Sequence, residues 1–332
     1  MEKWFNLPEN DRKEIINQVS AKTGLLPTAI EKDFWVMIAL NAICNSEYAK
    51  YLVFKGGTSL SKSYGLIERF SEDIDLAIDR SFFKFDGDLK PKEVTKLRKT
   101  ACKFIVEVFI DKLSVVLKEM KVKEFTLNHV EFERSDTDPL AIELNYKPLT
   151  EKVDYLKPRI LIEISSRSLR DPFENRELVS FIGEHYPELP FVDKPIMVPT
   201  VLPTRTILEK IFLLHEEFQK PKDREIRSQR MTRHLYDISK LMDTKYMEDA
   251  LTDRGLYNNI VTHREMLTNV SWVDYSKHEP KDINFIPPET EIDKWEKDYT
   301  AMKESMFYGE TESFENLIKK LKELNNRINK IK

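Results

Sequence analysis

Glycine and cysteine are scarce in this chain of 332 residues, which contains 8 glycines and 2 cysteines. Cys44 and Cys102 lie in apolar helical patterns, far from any second cysteine or histidine at metal-ligand spacing. These positions argue against a disulfide framework and predict reduced, buried thiols. No stretch approaches the length of a membrane span, and the N-terminal residues contain no apolar segment typical of a secretion signal. We therefore predict a cytoplasmic protein with no membrane partner.

An excess of positive charge is also lacking, because 53 lysine and arginine residues face 57 acidic residues, for a formal net charge of -4. This balance excludes a protein whose whole surface is built to bind nucleic acid, so any basic surface must be local. Residues 220–234, KPKDREIRSQRMTRH, form such a basic segment. We interpret it as a contact for a triphosphate or an RNA backbone, with a solvated loop and helix face as the alternative. The cations assigned to this contact are Lys222, Arg224, Arg227, Arg230 and Arg233.

Helical and strand patterns alternate in the first part of the chain. The spacing of apolar residues predicts a helical hairpin over 8–22 and 27–45, then a strand over 51–54 and a helix capped by Thr58. The further predicted elements are a strand at 74–78, a helix at 96–120, and strands within 124–146 and 159–166. This order predicts a mixed α/β domain over residues 1–200.

Helical patterns dominate the remainder of the chain. The predicted elements are helices near 207–218 and 231–242, a mixed loop over 271–312 and a charged C-terminal helix. We therefore predict a second, mainly helical domain over residues 201–332.

Two acidic residues, Asp73 and Asp75, interrupt an apolar run that is typical of a strand. Residues two apart point to the same side of a strand, so both carboxylates project together while the intervening apolar side chains form the buried face. The segment RILIEIS places Glu163 on a later strand in the same way, although a surface-facing glutamate on an edge strand is the alternative. Carboxylates that share a patch repel each other unless a cation lies between them, and magnesium prefers such oxygen ligands. We predict that Asp73, Asp75 and Glu163 hold two magnesium ions that act on a triphosphate.

The pair Gly56-Gly57 lies between the strand over 51–54 and the helix that follows it. Glycines let the backbone approach a phosphate closely, and the free amides at the start of a helix point toward it. Thr58 and Ser59 can add hydroxyl donors. A glycine turn followed by Asp-x-Asp and a later strand acid therefore predicts that residues 56–59 bind a nucleotide.

These motifs resemble those of the nucleotidyltransferase superfamily that includes DNA polymerase beta, and more closely those of the AbiEii/AbiGii toxin family of type IV toxin–antitoxin systems. The blocks that carry the resemblance are EKDFWV at 31–36, FKGGTSLSKSYGLIERFSEDIDL at 54–76, RILIEIS at 159–165, LEKIFLLHE at 208–216, RHLYDISKL at 233–241 and DYTAMKESMFYGE at 298–310. Together they span almost the whole chain. The spacing between Thr58 and Asp73 is slightly longer than is usual in the broader superfamily, but it looks typical of this toxin group.

The resemblance implies an α/β nucleotidyltransferase core with a mixed sheet and a helical half that closes a cleft over it. It also implies that Asp73 and Asp75 bind metal, that Glu163 completes the site, and that Gly57 with Thr58 holds phosphate. Lys210 would contact the nucleoside triphosphate, and Asp237 would be an essential polar residue beside it. The family includes members that add nucleotides to the 3′ end of transfer RNA and stop translation, as in abortive infection and phage defence. Their neutralising partner is usually an antitoxin that also acts as a DNA-binding repressor.

Several alternatives remain open at the level of sequence. Lys210 is on the polar side of an apolar helix, where lysines are usually solvated, and Asp237 could pair with Arg233 one turn before it. Lys32 and Asp33 could pair on a helix surface or face the cleft. The acceptor could be a protein or a small molecule, the transferred group could be a phosphoryl group alone, and the chain could be a non-catalytic module that binds a nucleotide.

Overall fold

The computed structural model describes residues 2–71, 73–151 and 157–331, except for the side chain of Ser305. The chain forms two compact units. The first comprises Met1–Tyr64 and Phe70–Val201, and the second comprises Gly65–Arg69 and Leu202–Lys332. In sequence, the short segment Gly65–Arg69 therefore separates the glycine turn from the acidic residues that follow it.

A mixed sheet lies in the first unit. Its strands are β1 (Leu52–Lys55), β2 (Ile74–Ile78), β3 (Phe125–His129), β4 (Leu140–Tyr146), β5 (Arg159–Ser165), β6 (Phe173–Leu178) and β7 (Ile196–Val201). Within the described residues, these seven strands are ordered β3-β4-β5-β2-β1-β7-β6. The pairs β2–β5 and β1–β7 are parallel, and the other neighbouring pairs are antiparallel. The mixed α/β fold that the sequence predicts is confirmed.

One helix of the first unit is buried on nearly all sides. The helices of this unit are α1 (Glu2–Phe5), α2 (Glu9–Thr23), α3 (Pro27–Cys44), α4 (Gly56–Lys62), α5 (Pro91–Phe104), α6 (Ile110–Glu119) and α7 (Phe181–His185). The sequence of α3, PTAIEKDFWVMIALNAIC, is apolar around most of its circumference, which is typical of a helix inside a core. It contacts α2, α6 and α7 as well as β5 and β7. The strand that carries Glu163 is therefore supported directly by the main core.

The second unit is built from helices. They are α8 (Pro203–Glu217), α9 (Thr232–Leu241), α10 (Lys245–Thr252), α11 (Arg254–His263), α12 (Ile292–Ser305) and α13 (Phe314–Ile328). Helix α9 contacts α8, α12 and α13. The segment Gly65–Arg69 joins this unit through a bridge between Arg69 and Phe307. Of the helices in the described residues, none has both the length and the apolar composition that crossing a membrane requires.

Two strands were missing from the sequence-based prediction. β6, with the sequence FENREL, lies at the edge of the sheet, and most of its side chains are exposed. An edge strand with two solvated faces shows no alternation of apolar and polar residues, so the period-two signal is absent. Its partner β7 contains Pro199, which weakens the strand pattern further.

Three predicted element assignments differ from the structure. The predicted loop over 271–312 is wrong for Ile292–Ser305, because Trp295, Tyr299 and Met302 recur at helical spacing and form the buried side of α12. The helix predicted from residue 96 begins earlier, at Pro91, a residue favoured in the first helical turn. Thr58 is not a helix cap, since α4 already begins at Gly56 and the capping position is Lys55.

Candidate active site

Three neighbouring strands bring charged residues into one row. Asp75 on β2 is the register partner of Lys55 on β1 and of Glu163 on β5. Residues directly opposite each other on adjacent strands share a face of the sheet, so these three side chains lie on the same face. All three are half-buried, whereas the alternate residues Ile74, Leu76 and Ile162 are buried on the other face. We call Lys55, Asp75 and Glu163 the charged row.

Gly56 packs directly against the Asp75 carboxylate. Its φ of +82° lies in the left-handed region, and a Cβ atom built on it would overlap the Asp75 side chain. Only glycine satisfies both requirements without strain. The turn at the end of β1 and the carboxylate on β2 therefore form one compact arrangement, and this contact connects the glycine motif to the acidic motif.

The hydroxyl groups predicted to hold phosphate have internal partners. Thr58 Oγ1 donates to the carbonyl of Asp73 at 2.5 Å and lies 2.9 Å from Ser71 Oγ. Ser59 Oγ donates to the carbonyl of Gly56 at 2.8 Å. Both residues are buried, and the Thr58 contacts tie the first turn of α4 to the segment that carries Asp73. Their contact with phosphate stays a prediction.

The carboxylates predicted to hold metal do not form a preassembled cage. In residues 2–71, 73–151 and 157–331, no group of three or more histidine, cysteine, aspartate or glutamate side chains could hold a metal ion. Magnesium is commonly held by one or two protein carboxylates together with water and substrate phosphate, so it needs no such cage. Asp75 and Glu163, with their oxygen donors on one face, fit this mode of binding. The three residues remain predicted ligands.

Lys55 belongs to the charged row, although sequence reasoning did not assign it to the site. Its ammonium group donates to Ser168 Oγ at 2.9 Å.

Ser168 lies in the segment between β5 and β6, which is held by side-chain contacts at two further points. Asp138 accepts hydrogen bonds from Ser165, Ser166 and Arg167, and Arg170 pairs with Asp79 at 2.7 Å.

Buried charges on α3 hold the elements around this face. Asp33 pairs with Lys62 at the end of α4 at 2.7 Å and accepts the Phe181 N–H at 2.7 Å. Lys32 donates to the Lys157 carbonyl, and Glu31 accepts from the N–H groups of Leu149 and Thr150. The suggested surface pair between Lys32 and Asp33 is therefore wrong, because both side chains are buried and turn to different partners.

The second unit contains a buried charge cluster around Asp237. The Asp237 carboxylate is completely buried and accepts two hydrogen bonds from Arg69, at 2.6 and 2.7 Å. Lys210 Nζ lies 2.9 Å from the same carboxylate and 3.4 Å from His234 Nδ1. Lys210 is buried rather than solvated, so the alternative drawn from its helix face is wrong. Arg69, absent from the predicted site, connects the segment Gly65–Arg69 to α9.

The charges in this cluster are maintained by their neighbours. Burial by itself would raise the pKa of Asp237, but Arg69 and Lys210 outweigh this effect and hold the pKa below its usual value. Burial lowers the pKa of Lys210, and Asp237 opposes that change. Burial and the nearby Lys210 cation hold the pKa of His234 well below its usual value, so this histidine is neutral.

The basic segment divides into exposed and half-buried cations. Lys222, Arg224 and Arg227 are exposed, whereas Arg230 and Arg233 are half-buried. The backbone N–H of Arg230 donates to Asp298 at 2.6 Å, and the same carboxylate accepts from Thr232. These bonds fix the start of α9, so the part of the segment nearest the helix has a structural function.

Trp272 adds an aromatic ring to the exposed part of the basic segment. The guanidinium carbon of Arg224 lies 4.7 Å from the centre of the Trp272 ring, and Lys220 Nζ lies 5.8 Å from it. Because Trp272 is separated from the segment by about forty positions in sequence, no local pattern indicated this neighbour. We call Lys222, Arg224, Arg227 and Trp272 the basic aromatic surface.

The glycine turn packed against the Asp75 carboxylate, with Glu163 in register on the next strand, fits the way in which a metal-bound triphosphate is held. Over residues 38–320, the chain matches the family model described as nucleotidyl transferase AbiEii toxin, type IV toxin–antitoxin system. It belongs to this family and is therefore a toxin-type nucleotidyltransferase. Membership implies a nucleoside triphosphate as substrate and an antitoxin as partner.

The comparison with solved structures includes MenT4, a nucleotidyltransferase toxin from Mycobacterium tuberculosis H37Rv. The similarity covers 87% of this chain and 98% of that chain, with 12% sequence identity and a TM-score of 0.39. No curated protein matches the sequence.

Proposed function

We propose that this toxin transfers a nucleoside monophosphate from a nucleoside triphosphate to the 3′ hydroxyl of transfer RNA, and thereby stops translation and growth. The observation that supports the transfer chemistry most directly is the register of Asp75 with Glu163, next to Gly56. The carboxylates of the charged row supply oxygen ligands for a metal ion, and the glycine turn lets the backbone approach a phosphate closely. These are the two requirements of a site that binds a metal-bound triphosphate.

In the proposed reaction, the acceptor oxygen forms a bond to the α-phosphorus while the bond between the α-phosphorus and the bridging oxygen breaks. Pyrophosphate leaves, and the proton of the hydroxyl passes to a carboxylate of the charged row. Asp73, Asp75 and Glu163 would hold magnesium, which supplies a Lewis acid and neutralises phosphate charge. Gly57, Thr58 and Ser59 would orient the triphosphate.

The test of transfer uses purified protein, magnesium, total transfer RNA and each of the four nucleoside triphosphates labelled at the α-phosphate. Asp75→Ala should abolish RNA labelling because the row loses its central carboxylate. Asp88→Ala, which changes an exposed aspartate outside the row, is the matched control and should label RNA at the wild-type rate. An Asp75→Ala protein that folds and labels RNA at an undiminished rate would refute the assignment.

The label distinguishes the alternative reactions. Transfer from γ-labelled but not α-labelled nucleotide would show phosphoryl transfer instead. Label on protein in place of RNA would identify a different acceptor. Absence of transfer to any acceptor, with nucleotide binding intact, would favour the non-catalytic module.

The basic aromatic surface supports RNA as the acceptor class. Exposed cations bind the phosphate backbone, and an aromatic ring lets an unpaired base stack, which is how single-stranded nucleic acid is commonly bound. The net charge of -4 gives the rest of the protein no comparable attraction for RNA. The single-stranded acceptor end of transfer RNA suits such a surface.

The salt dependence of RNA binding tests this surface. Changing Lys222, Arg224 and Arg227 together to glutamine should reduce the slope of log K against log salt concentration by about 2, at roughly 0.7 per phosphate contact. The charge-matched control changes Lys319, Lys322 and Lys330 to glutamine, three exposed lysines of the C-terminal region. Equal slopes for the two triple variants would place RNA elsewhere.

The antitoxin partner we propose is a DNA-binding repressor that neutralises growth inhibition. Expression of the toxin alone should arrest growth, and Asp75→Ala should not. Co-expression of the neighbouring gene product should restore growth to the wild-type toxin strain. Persistent arrest would mean that the repressor is not the neutralising partner.

A further inference from the structure

We propose that Lys55 is a triphosphate-binding residue of the transfer site, and that its ammonium group contacts the β- and γ-phosphate oxygens that leave as pyrophosphate. The inference rests on the proposed function, because it names a further residue of the same site. It arises from the sheet register, which places a cation in the row that carries the catalytic carboxylates.

The position of Lys55 follows from backbone pairing. Lys55 is the direct partner of Asp75 in the antiparallel pair β1–β2. Directly opposed residues have Cα atoms about 4.5 to 5.5 Å apart and project to the same face. Asp75 is likewise paired with Glu163 in the parallel pair β2–β5. Lys55 thus lies one strand from Asp75 and two strands from Glu163, all on the face that the glycine turn borders.

The ammonium group of Lys55 has a defined anchor. It donates to Ser168 Oγ at 2.9 Å. Ser168 belongs to a segment that leaves β5 and returns to the sheet as β6, beyond β1 and β7 in the strand order. This segment is held by Asp138 at one end and by the pair Arg170–Asp79 at the other. The lysine is therefore oriented by the fold rather than extended into solvent.

Other nearby cations are already committed to structural partners. Lys62, on the helix after the glycine turn, pairs with buried Asp33. Arg167 and Arg170 pair with Asp138 and Asp79. These pairs hold the elements around the row, whereas the strand register places Lys55 in the row itself.

The chemistry of the leaving group requires such a cation. As the bond between the α-phosphorus and the bridging oxygen breaks, negative charge develops on pyrophosphate, and a preorganised positive charge stabilises it. Lysine suits this role because its ammonium group is a compact point charge with three donors. Lys55 would bind the phosphates electrostatically.

The alternative is that Lys55 only neutralises the carboxylates of the row. The two roles predict different ligand dependence. A phosphate contact discriminates triphosphate from monophosphate, because only the triphosphate carries the leaving group. A counter-ion that merely preserves the shape of the row would affect both nucleotides to the same degree.

The experiment measures equilibrium binding of the four α,β-methylene nucleoside triphosphates and the corresponding monophosphates in magnesium by calorimetry. The variants are Lys55→Met and Lys55→Gln, which remove the charge, and Lys55→Arg, which keeps it. Lys92→Met, at an exposed lysine of the same unit, is the matched control. Thermal unfolding of each variant checks the fold, and Lys55→Gln keeps a donor for Ser168 if Lys55→Met does not fold.

The expected result is triphosphate affinity at least about tenfold weaker in both neutral variants, with monophosphate affinity within about twofold of wild type. Lys55→Arg should recover part of the loss, and Lys92→Met should match wild type. Equal losses for both ligands, or triphosphate binding within about twofold of wild type, would overturn the assignment. A wild-type protein that binds no triphosphate would refute the proposed function itself, and the role of Lys55 with it.

Discussion

At the scale of single residues, the contact between Gly56 and Asp75 defines the candidate site. Asp75 is held between a turn that has no room for a side chain and a lysine on the neighbouring strand. A carboxylate in such a position has few alternative rotamers, which is the kind of preorganisation that metal and phosphate binding require. The glycine therefore matters for shape at least as much as for backbone freedom.

Replacement of Gly56 by alanine should damage both stability and nucleotide binding. Alanine is strained at the positive φ of this position, and its Cβ atom would displace the Asp75 carboxylate. We therefore expect a loss of at least about 2 kcal/mol in unfolding free energy. Gly24→Ala is the matched control, because Gly24 has a similar φ of +73° but nothing within 4 Å of the new atom. Denaturant unfolding and triphosphate titration measure both effects. Equal losses in the two variants would show that the contact with Asp75 is unimportant.

A second residue-scale prediction concerns His215, a buried residue of α8 that contacts the backbone of Asn284. Burial, reinforced by His278, lowers the pKa of His215 to about 4, below the ordinary value of 6.5. The unfolded chain therefore binds a proton that the folded chain rejects between these values. Stability is fully present above pH 6.5 and falls as the pH decreases toward 4, by about 3 kcal/mol at most from this group.

The His215→Gln variant provides the test of that pH dependence. Its unfolding free energy should be lower than wild type at neutral pH, because packing is altered, but should fall less steeply from pH 6.5 to 4. Above pH 7 the two pH profiles should run parallel. Identical slopes in the acidic range would contradict the assignment of this sensitivity to His215.

At the scale of elements, α3 supports α4, the helix that follows the glycine turn. It is apolar enough to lie inside the core, yet it carries three consecutive buried charges, Glu31, Lys32 and Asp33. Each of these charged side chains bonds to a different partner, and Asp33 forms an ion pair with Lys62 at the end of α4. Helix α4 is therefore held at both ends. Asp75 contacts its first residue, Gly56, and Asp33 pairs with its last residue, Lys62.

Asp33→Asn should loosen α4 and weaken triphosphate binding. Removal of one member of a buried ion pair leaves the other uncompensated and costs about 3 to 5 kcal/mol. The double variant Asp33→Asn with Lys62→Met should recover part of this loss, because no buried cation remains unpaired. A thermodynamic cycle of the four proteins gives the coupling energy. Strictly additive losses would mean that the pair contributes nothing specific.

At the scale of the whole molecule, the chain order of the two units is discontinuous. Arg69 and Asp237 are 168 positions apart, yet their side chains form a bidentate buried pair inside the second unit. Four residues beyond Arg69 the chain reaches Asp73 in the first unit. The segment that leads into the acidic motif is therefore anchored by the helical unit.

Asp237→Asn should destabilise the second unit by about 3 to 5 kcal/mol, because Arg69 and Lys210 would lose the charge that compensates them. Hydrogen exchange should increase in α9 and in residues 65–69 before it increases in the sheet. Asp243→Asn, at an exposed position just beyond α9, is the control and should stay within about 0.5 kcal/mol of wild type. Unchanged exchange in Asp237→Asn would show that the cluster does not hold this segment.

The sequence-based predictions were correct where the pattern depends on residues that are close together in the sequence. The helices at 9–23 and 27–44 and the strands at 74–78 and 159–165 were predicted because their apolar spacing is local. The edge strand β6 was missed because solvent on both faces removes that spacing. Helix α12 was missed although Trp295, Tyr299 and Met302 carried its period, since Pro287-Pro288 just before them favoured a loop.

The sequence by itself determined the mixed α/β class and the family, because each depends on residue types at fixed local spacing. Tertiary structure alone decided that Lys55 stands opposite Asp75, that Arg69 pairs with Asp237, and that Lys32 and Asp33 are buried apart. These relations join segments far apart in the chain. They are selected by strand register and by the need to compensate buried charge, neither of which a local pattern encodes.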